Sequence, residues 1–551
     1  MATTVTNKTE PQDITLNFPA AGIDLSRAYC KQPARKVSET RYARTTPEGQ
    51  NVCGYEPSSD RLRGGTRPGL VRYIDAQVAG TTWVVQHLNT IVSTGTPGSG
   101  ETMQTSQSGR VVTLVAVAQG NVKYANPGDT AWSSATNGTI ETPPLNYTGI
   151  IYSASQANVD GEATLWFADG TNWCYFQPST NTVYTWAATA GELPTDAGNN
   201  APRLICTWQG RIVLSGLIDD PQAIFMTRIG DPTDFFYVSG TPTDAGQAVA
   251  LTAGSSFGVV GDVVTALIPY SDDMLIIGMD SKIAVLRGNP ADGGNIDLVT
   301  TAIGVAFGKA WCMDPYGFIW FVSNKTGIYR MFPGQQPQRV SQPIEQLIGE
   351  VNTGENAISL IWDDRLQAVW IFITPLEFPA ATTHLLLEQR SNAWWTVSYA
   401  DPDFDPLVVC TFDGNEPDDR VALIGSWDGY VRALSHSATT DDGRNISSSV
   451  VIGPIISATL DDILLRDLQG VLGDDSGDVT FEVLAGPTGQ AALAAEPALS
   501  DTWRAGRNEN NFCMVADHAI YVRITATTSW ALEQIRARVE SKGIIRARSA
   551  S

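Results

Sequence analysis

A recurring pattern of apolar runs and tight turns most constrains what this chain can fold into. Residues 203–237 show it clearly: three apolar runs are separated by the turn residues Gln209-Gly210 and Asp219-Asp220-Pro221. β-Branched and aromatic runs between Gly, Asp and Pro are typical of an antiparallel meander. A single meander cannot bury its own apolar faces, so neighbouring units of the same kind must cover them.

Similar units follow one another along most of the chain. Their turn centres lie near residues 120, 170, 218, 280, 325, 378 and 428. Steps of roughly 45–60 residues correspond to about four strands each, which is the size of a propeller blade. The pattern predicts an all-β protein with a β-propeller of six to seven blades over residues 76–436. A set of stacked β-sandwiches is the alternative architecture.

Two flanking regions differ from the repeated units. Residues 1–75 are rich in Pro, Arg and Thr, and they predict an extended N-terminal arm that provides platform contacts. Residues 437–450 are polar and predict a hinge. Alternating apolar positions after the hinge predict a C-terminal β-sandwich, so that the last domain spans residues 437–551. One short helix is expected, over residues 343–351.

The charge of the chain is strongly negative and unevenly distributed. Its formal net charge is −22, yet residues 1–72 hold 11 Lys and Arg against 7 Asp and Glu. The acidic remainder of the chain, after residue 72, argues against a protein that binds nucleic acid tightly, because phosphate contacts need Lys and Arg. It is compatible with a surface past which DNA slides without sticking. Simple solubility explains the same charge.

The sequence offers no recognisable catalytic or metal-binding motif. Its four histidines are not at metal-ligand spacing, and paired aspartates such as Asp272-Asp273 are ordinary turn chemistry. We therefore expect no metal, no cofactor and no enzymatic activity. The seven scattered cysteines predict buried, reduced thiols. The N-terminus lacks the features of a secretory signal, which predicts synthesis in a cytoplasm without processing.

Two segments are candidate contact sites. The first is a cluster of arginines around the turn dipeptides Gly64-Gly65 and Pro68-Gly69, and it would meet a phosphate backbone or an acidic partner. Its alternative role is to pair with carboxylates of the acidic body. The second is a long polar loop over residues 93–109 without apolar anchors, which predicts a mobile segment or one ordered by a partner. The candidate arginines are Arg61, Arg63, Arg67 and Arg72.

The stretch of residues 203–237 resembles the tail nozzle proteins of short-tailed bacteriophages, also called tail tubular protein B. The pattern of that family falls on Arg203, Gln209, Gly210, Arg211, Gly216, Pro221, Arg228, Gly230, Asp231, Pro232 and Phe235. Thr227 departs from it, because Ser is common there. The early RLRGGTRPGL is similar to a turn near the start of these proteins, and the likeness extends over most of the chain.

The resemblance implies a structural protein of the virion, assembled in the cytoplasm of a bacterial host. Six copies would form a ring below the tail adaptor, bind tail fibres or spikes, and meet the host envelope only indirectly. The ring would enclose a channel through which double-stranded DNA passes without specific binding. The arginines then become candidate adaptor or DNA contacts, and the polar loop becomes a gate or a fibre contact. The candidate residues of the loop are Ser93, Thr94, Gly95, Thr96, Gly100, Glu101, Thr102 and Gln104.

A second function class stays open at this point. β-Propellers also host carbohydrate-binding and glycoside-hydrolysing proteins. A glycoside hydrolase needs two carboxylates facing each other across a sugar. The absence of a recognisable signal peptide and the arginine-rich arm favour the nozzle over this alternative.

Overall fold

The protein is described by a computed structural model that is 54% strand and 4% helix, which confirms the all-β prediction. The described residues are 4–5, 10–37, 41–57, 59–80, 84–94, 110–139, 153–159, 161–237, 244–252, 261–325, 327–377, 382–414, 420–457 and 460–543.

Within these residues, seven four-stranded antiparallel sheets follow one another and form a β-propeller. Sheet 1 has the strands Val85–Thr94, Arg110–Ala118, Asn121–Ala125 and Ser133–Thr139. Sheet 2 has the strands Ser153–Val159, Glu162–Ala168, Cys174–Gln177 and Thr182–Thr185. Sheet 3 has the strands Leu204–Trp208, Arg211–Ser215, Ile224–Met226 and Val249–Leu251. The meander predicted for residues 203–237 is therefore confirmed.

The remaining four sheets repeat this arrangement. Sheet 4 has the strands Val264–Ser271, Met274–Met279, Ile283–Arg287 and Asn295–Thr300. Sheet 5 has the strands Trp311–Met313, Ile319–Ser323, Gly327–Met331 and Gln338–Arg339. Sheet 6 has the strands Asn356–Asp363, Ala368–Pro375, His384–Glu388 and Ala393–Val397. Sheet 7 has the strands Pro406–Asp413, Arg420–Ser426, Val431–Ser435 and Gly69–Arg72.

Shared apolar cores join each sheet to the next and close the ring. Leu204 of sheet 3, for example, is buried in one core with Leu267 of sheet 4. Leu114 of sheet 1 is buried with Leu423 of sheet 7, so the last sheet packs against the first. In sheets 1 to 6 the first strand in chain order is the innermost one. In sheet 7 the innermost strand is Pro406–Asp413, although Gly69–Arg72 comes earlier in the chain. Closure of this kind leaves few exposed strand edges and places one apolar layer between every two sheets.

The outermost strand of sheet 7 comes from the N-terminal region, in contrast to the predicted arm. Gly69–Arg72 pairs antiparallel with Val431–Ser435, with Leu70 opposite Leu434. Leu70 is fully buried, so this strand is part of the propeller. The boundary drawn at residue 75 is wrong for this strand, because a strand pairing between distant residues leaves no local signal in the sequence.

Two further sheets lie beyond the propeller. One has the strands Ser448–Ser457, Ala519–Ala526, Val479–Gly486 and Leu499–Trp503. The other has the strands Gln12–Leu16, Leu532–Gly543, Asp462–Leu472, Gly506–Arg507 and Asn511–Asp517. Apolar residues of both sheets, such as Leu465 and Phe481, are buried in a common core. The strand Gln12–Leu16 shows again that the N-terminal region belongs to the core of the molecule.

The short elements connect these units. Gly49–Gln50 pairs with sheet 6 on one side and with Ser448–Ser457 on the other, which joins the propeller to the C-terminal sheets. The other short strands are Thr4–Val5, Ala34–Lys36, Tyr42–Arg44, Val52–Glu56, Arg61–Thr66, Ala190–Gly191, Asp234–Phe235, Thr440–Asp441 and Arg444–Asn445. The helices are the α-helices Glu345–Ile348 and Gly489–Ala494 and the 3-10 helices Tyr29–Lys31, Gln342–Ile344 and Pro402–Phe404. A helix is thus found where one was expected, within residues 343–351.

The cysteines behave largely as predicted. All seven are free thiols, four are buried, and Cys30, Cys410 and Cys513 are partly exposed. A search of the described residues finds no helix with the length and hydropathy needed to cross a bilayer.

Candidate functional site

The arginine-rich segment joins the propeller to the C-terminal sheets. We call residues 61–72 the junction segment. Its first strand, Arg61–Thr66, pairs with Val52–Glu56, and Gly65 forms a β-bridge with Ala531 of the C-terminal unit. Its second strand completes sheet 7. One short stretch of chain therefore contacts both parts of the molecule.

Two glycines allow this close approach. Gly64 has a φ of +75°, and a Cβ atom placed on it would lie 2.0 Å from Cγ of Phe18. A Cβ atom on Gly65 would lie 2.2 Å from the carbonyl oxygen of Trp530. The backbone of the junction segment is thus packed directly against its neighbours, and only glycine fits at these positions.

Arg67 is buried in the centre of the junction. Its Nη1 and Nη2 atoms donate to the two carboxylate oxygens of Asp441 at 2.9 and 2.7 Å, and its Nε donates to Asn51 at 2.9 Å. The side chains of Arg67 and Asp441 are 0% and 1% exposed. Burial by itself lowers the pKa of Arg67, but the carboxylate of Asp441 outweighs it and the pKa is raised. The prediction that Arg67 contacts DNA or an adaptor is wrong, because no partner can reach a fully buried side chain.

The other three candidate arginines lie nearer to the surface. Arg63 pairs with Glu56 at 3.1 Å and with Glu533 of the C-terminal unit. Arg72 pairs with Asp442 at 2.9 Å, and its guanidinium lies 4.1 Å from the ring centre of Tyr430. Arg61 is exposed. For Arg63 and Arg72 the structure thus shows pairing with carboxylates of the acidic body, which was the alternative role; Arg61 remains available to a partner.

Sequence analysis did not identify the carboxylates that complete the junction. Asp428 and Asp442 both accept hydrogen bonds from Arg432, whose side chain is fully buried and stacks 3.9 Å from the ring centre of Phe404. Asp441 and Asp442 lie in the region predicted to be a polar hinge, yet Thr440–Asp441 pairs in parallel with the junction strand at Leu70. A pair of acidic residues in a turn-like sequence is the usual signature of a loop, so the burial of Asp441 has no recognisable signal in the sequence.

The predicted gate or fibre-contact loop lies almost entirely outside the described residues. Ser93 and Thr94 end the first strand of sheet 1, where they pair with Val111 and Arg110. The loop residues outside the described ranges are Gly95, Thr96, Gly100, Glu101, Thr102 and Gln104.

A cavity of about 670 Å³ occupies the centre of the propeller. The innermost strands of all seven sheets contribute to its wall, through residues such as Asn89, Ser155, Cys206, Leu267 and Cys312. We call this cavity the central channel. Its wall is mixed: apolar side chains such as Leu204, Leu267 and Ile361 lie among polar ones such as Asn89 and Thr411. No Asp or Glu lies among the described residues that line it.

Among the described residues, one Lys or Arg lines this channel, the exposed Lys309. Its ammonium lies 4.9 Å from the ring centre of Trp311. Burial raises the pKa of the nearby Cys312 thiol, and the partial burial of Cys410 raises its pKa to about 11, so both thiols are protonated at neutral pH. Such thiols are inert as nucleophiles at neutral pH.

The paired aspartates do not form an acid–base site. Asp219-Asp220 and Asp272-Asp273 lie in turns and do not line the channel. Asp363 is buried beside a smaller cavity of about 190 Å³, where it accepts a hydrogen bond from Nε2 of His436 at 3.2 Å. Its oxygens also accept bonds from the backbone and from Trp370, which is the arrangement of a turn-stabilising residue. A search for clusters of metal-ligating side chains in the described part of the chain finds none.

The segment that carries the family resemblance has a structural role. Arg211 is 1% exposed and donates hydrogen bonds to the backbone carbonyls of Thr227, Gln247 and Ala245. Its own pKa is lowered to about 10 by burial. Gln209, at φ +51°, donates to carbonyl groups of sheet 4 and so ties the two sheets together. These residues position strands and present no reactive group.

No known protein family matches the chain by sequence, and no curated protein matches it. Among solved structures, β-propeller proteins are distant matches. Virginiamycin B lyase from Staphylococcus aureus is 12% identical, with a TM-score of 0.37, and the match covers 63% of this chain and 98% of that one. YCF48 from Cyanidioschyzon merolae is 13% identical, with a TM-score of 0.37 and coverage of 66% and 99%. The extracellular domain of the putative hybrid two component system BT3049 from B. thetaiotaomicron is 10% identical, with a TM-score of 0.40 and coverage of 78% and 49%.

Proposed function

We propose that the protein is a structural subunit of the tail nozzle of a short-tailed bacteriophage, without catalytic activity. Six copies form a ring that joins the head–tail adaptor to the distal tail and its fibres or spikes. The ring conducts genome DNA during ejection. The observation that carries the proposal is the junction segment: a sequence that resembles a nozzle-protein turn is the piece that binds the propeller to the C-terminal sheets.

A subunit of a ring through which DNA is ejected needs its parts to move as one body, and the contacts of the junction segment favour this. The bidentate pair of Arg67 and Asp441 fixes the segment to residues 374 positions away in the chain. Arg63 and Gly65 attach the same segment to the C-terminal unit through Glu533 and Ala531. Desolvated ion pairs and directly packed glycines resist sliding, because any displacement exposes an unpaired buried charge or creates a steric clash.

The charge of the chain fits a conduit for DNA. Six copies at a net charge of −22 carry −132 together. An anionic wall repels the phosphate backbone, so that DNA passes without adhering. Three of the four candidate arginines are already paired with carboxylates, which leaves Arg61 as the candidate arginine available to a duplex.

An exposed apolar edge supports self-association. The strand Asn511–Asp517 pairs with Asp462–Leu472 on one side, and among the described residues no strand covers its other side. Phe512 and Met514 on this strand are 80% and 64% exposed. Large exposed apolar side chains on an edge strand mark a contact with another chain. We assign this edge to the interface between copies in the ring.

The direct test uses particles of the phage that encodes the chain. Antibodies raised against the purified protein should label the tail of intact virions in negative-stain images, and mass spectrometry should find the chain in purified particles in about six copies. Its absence from purified virions, or labelling of the host surface alone, would contradict the proposal.

A second test addresses the ring itself. We expect light scattering to show assembly toward six times 59.2 kDa in the presence of the adaptor. Phe512→Asp should prevent assembly, whereas Tyr316→Asp, at another exposed aromatic residue, should leave it intact. Assembly should be favoured by 0.15 M salt over 0.01 M, because the Debye length falls from about 30 Å to about 8 Å and repulsion between the acidic subunits is screened. Equal assembly by both variants would argue against this interface.

A glycan array distinguishes the nozzle from the alternative, a carbohydrate-binding or glycoside-hydrolysing propeller. Such a propeller would retain or cleave glycans as a monomer. The lack of carboxylates among the described residues of the central channel favours the nozzle, because hydrolysis needs two of them across the sugar.

A further inference from the structure

We infer that the central channel of the propeller binds a small organic anion with an apolar body, of the class of medium-chain carboxylates, and that Lys309 holds its carboxylate. This inference goes beyond the proposed function and does not depend on it. It rests on the charge, the polar groups and the size of the cavity.

The charge of the cavity is opposite to that of the molecule. The chain has 58 Asp and Glu against 36 Lys and Arg, yet among the described lining residues Lys309 is the one Lys or Arg and no carboxylate is present. Lys309 forms no ion pair with a described carboxylate and lies instead over the ring of Trp311. A cation without a counter-ion, in a wall free of acids, favours an anionic ligand and disfavours a cationic one.

A buried hydroxyl provides an independent sign of a ligand. Ser359 lines the channel and is 3% exposed, and its Oγ has no hydrogen-bond partner among the described residues. A buried polar atom without a partner is destabilising, so it is normally satisfied by a bound molecule or an ordered water. Ser359 lies on the innermost strand of sheet 6. The residue that follows it, Leu360, donates its backbone N–H to the carbonyl oxygen of Lys309 at 3.2 Å.

The apolar part of the wall fits an apolar body. Leu204, Leu267, Phe307 and Ile361 line the cavity together with thiols that burial keeps neutral. A volume of about 670 Å³ lies within the range of roughly 300–1,000 Å³ that is typical of sites for small organic ligands. The occupant is therefore a molecule with one anionic group and an aliphatic or aromatic body.

The test exchanges the charge of the site and the charge of the ligand. Isothermal titration of the full chain with decanoate, below its micellar concentration, should show one site per chain. Decyltrimethylammonium, with the same tail and a positive head, should bind about tenfold more weakly or worse, because it forms no charge-assisted hydrogen bond with Lys309. Lys309→Glu should reverse this order of affinity.

Lys282→Glu is the matched control, because it makes the same change of charge on sheet 4 outside the channel. It should keep the wild-type preference for decanoate. Ser359→Ala should weaken decanoate binding and leave the thermal midpoint of unfolding unchanged or raised. The inference is overturned if decanoate does not bind the wild type, or if Lys309→Glu and Lys282→Glu show the same preference. The first result would mean that the channel holds water only, and the second that any binding is apolar and unspecific.

Discussion

The propeller and the junction segment are stabilised by opposite kinds of contact. Between consecutive sheets of the propeller lie apolar side chains such as Leu267, Leu423 and Trp370, all buried. The junction is held instead by charged groups that are equally buried, above all Arg67 and Asp441. Apolar layers tolerate the exchange of one residue for a similar one, whereas a buried ion pair depends on both partners.

This difference determines which region can be altered without loss of the fold. A propeller sheet loses a fraction of its packing when one side chain shrinks. The junction loses its connection to Asp441 and gains an unpaired charge when a single carboxylate is removed. We therefore expect the junction to be the more sensitive region, although it is much the smaller.

Removal of the buried carboxylate should have the largest effect. Asp441→Asn leaves the charge of Arg67 without a partner, and we expect the free energy of unfolding to fall by about 3–5 kcal/mol in urea titrations. The double variant Arg67→Met with Asp441→Leu should recover most of this loss, because both charges disappear together. Asp297→Asn, which breaks the exposed pair with Arg287, serves as the surface control and should leave the midpoint unchanged. A loss in the double variant as large as in the single one would show that the charge itself is not the cause.

The close packing of the junction backbone gives the next largest effect. Gly64→Ala combines a left-handed backbone with a clash against Phe18. We expect the free energy of unfolding to fall by about 1–2 kcal/mol because of the backbone conformation and by about 1–3 kcal/mol more because of overpacking. Gly80→Ala isolates the first contribution, since Gly80 has a φ of +83° and no atom within 4 Å of its Cβ position. If both variants lose the same stability by thermal denaturation, the contact with Phe18 makes no contribution to the effect of Gly64→Ala.

Two buried carboxylates should give smaller, pH-dependent effects of opposite sign. Burial raises the pKa of Glu388, which accepts hydrogen bonds from Gly54 and Tyr55 of the N-terminal region. Burial also acts on Asp363, but the hydrogen bond from His436 outweighs it and the pKa is lowered. A raised acid pKa gives stability that is complete below the unfolded value, about 4.3 for Glu, and lost as pH rises through the folded value. A lowered acid pKa gives stability that is complete above the unfolded value, about 3.9 for Asp, and lost as pH falls through the folded value.

The measurement compares each variant with the wild type by denaturant titration from pH 3.5 to 7. Relative to Glu388→Gln, the stability of the wild type should decline as pH rises above about 4.3. Relative to Asp363→Asn, it should stay constant at pH above about 3.9 and decline below. If the stability difference between the wild type and each variant changed with pH in the same direction for both variants, the environments assigned to Glu388 and Asp363 would be contradicted.

The predictability of the two regions follows from the range of their contacts. The first three strands of sheet 3 can be predicted because their apolar runs and turns are local features of residues 203–226, and the same holds for the other hairpins. The origin of the fourth strand of sheet 7 was not readable, because Leu70 and Leu434 pair across most of the chain. The arginine cluster around Arg67 is visible in the sequence, but charge alone does not distinguish a buried ion pair from an exposed contact. Lys309 carried no local signal, because the channel exists only after seven separate strands converge.

Hydrogen exchange monitored by mass spectrometry tests the central claim, that the junction makes the propeller and the C-terminal sheets one cooperative unit. Peptides covering Met274–Met279 of sheet 4 and Leu532–Gly543 of the C-terminal unit should lose protection at the same urea concentration in the wild type. In Asp441→Asn the C-terminal peptide should lose protection first. Separate transitions already present in the wild type, or a single unchanged transition in the variant, would contradict it.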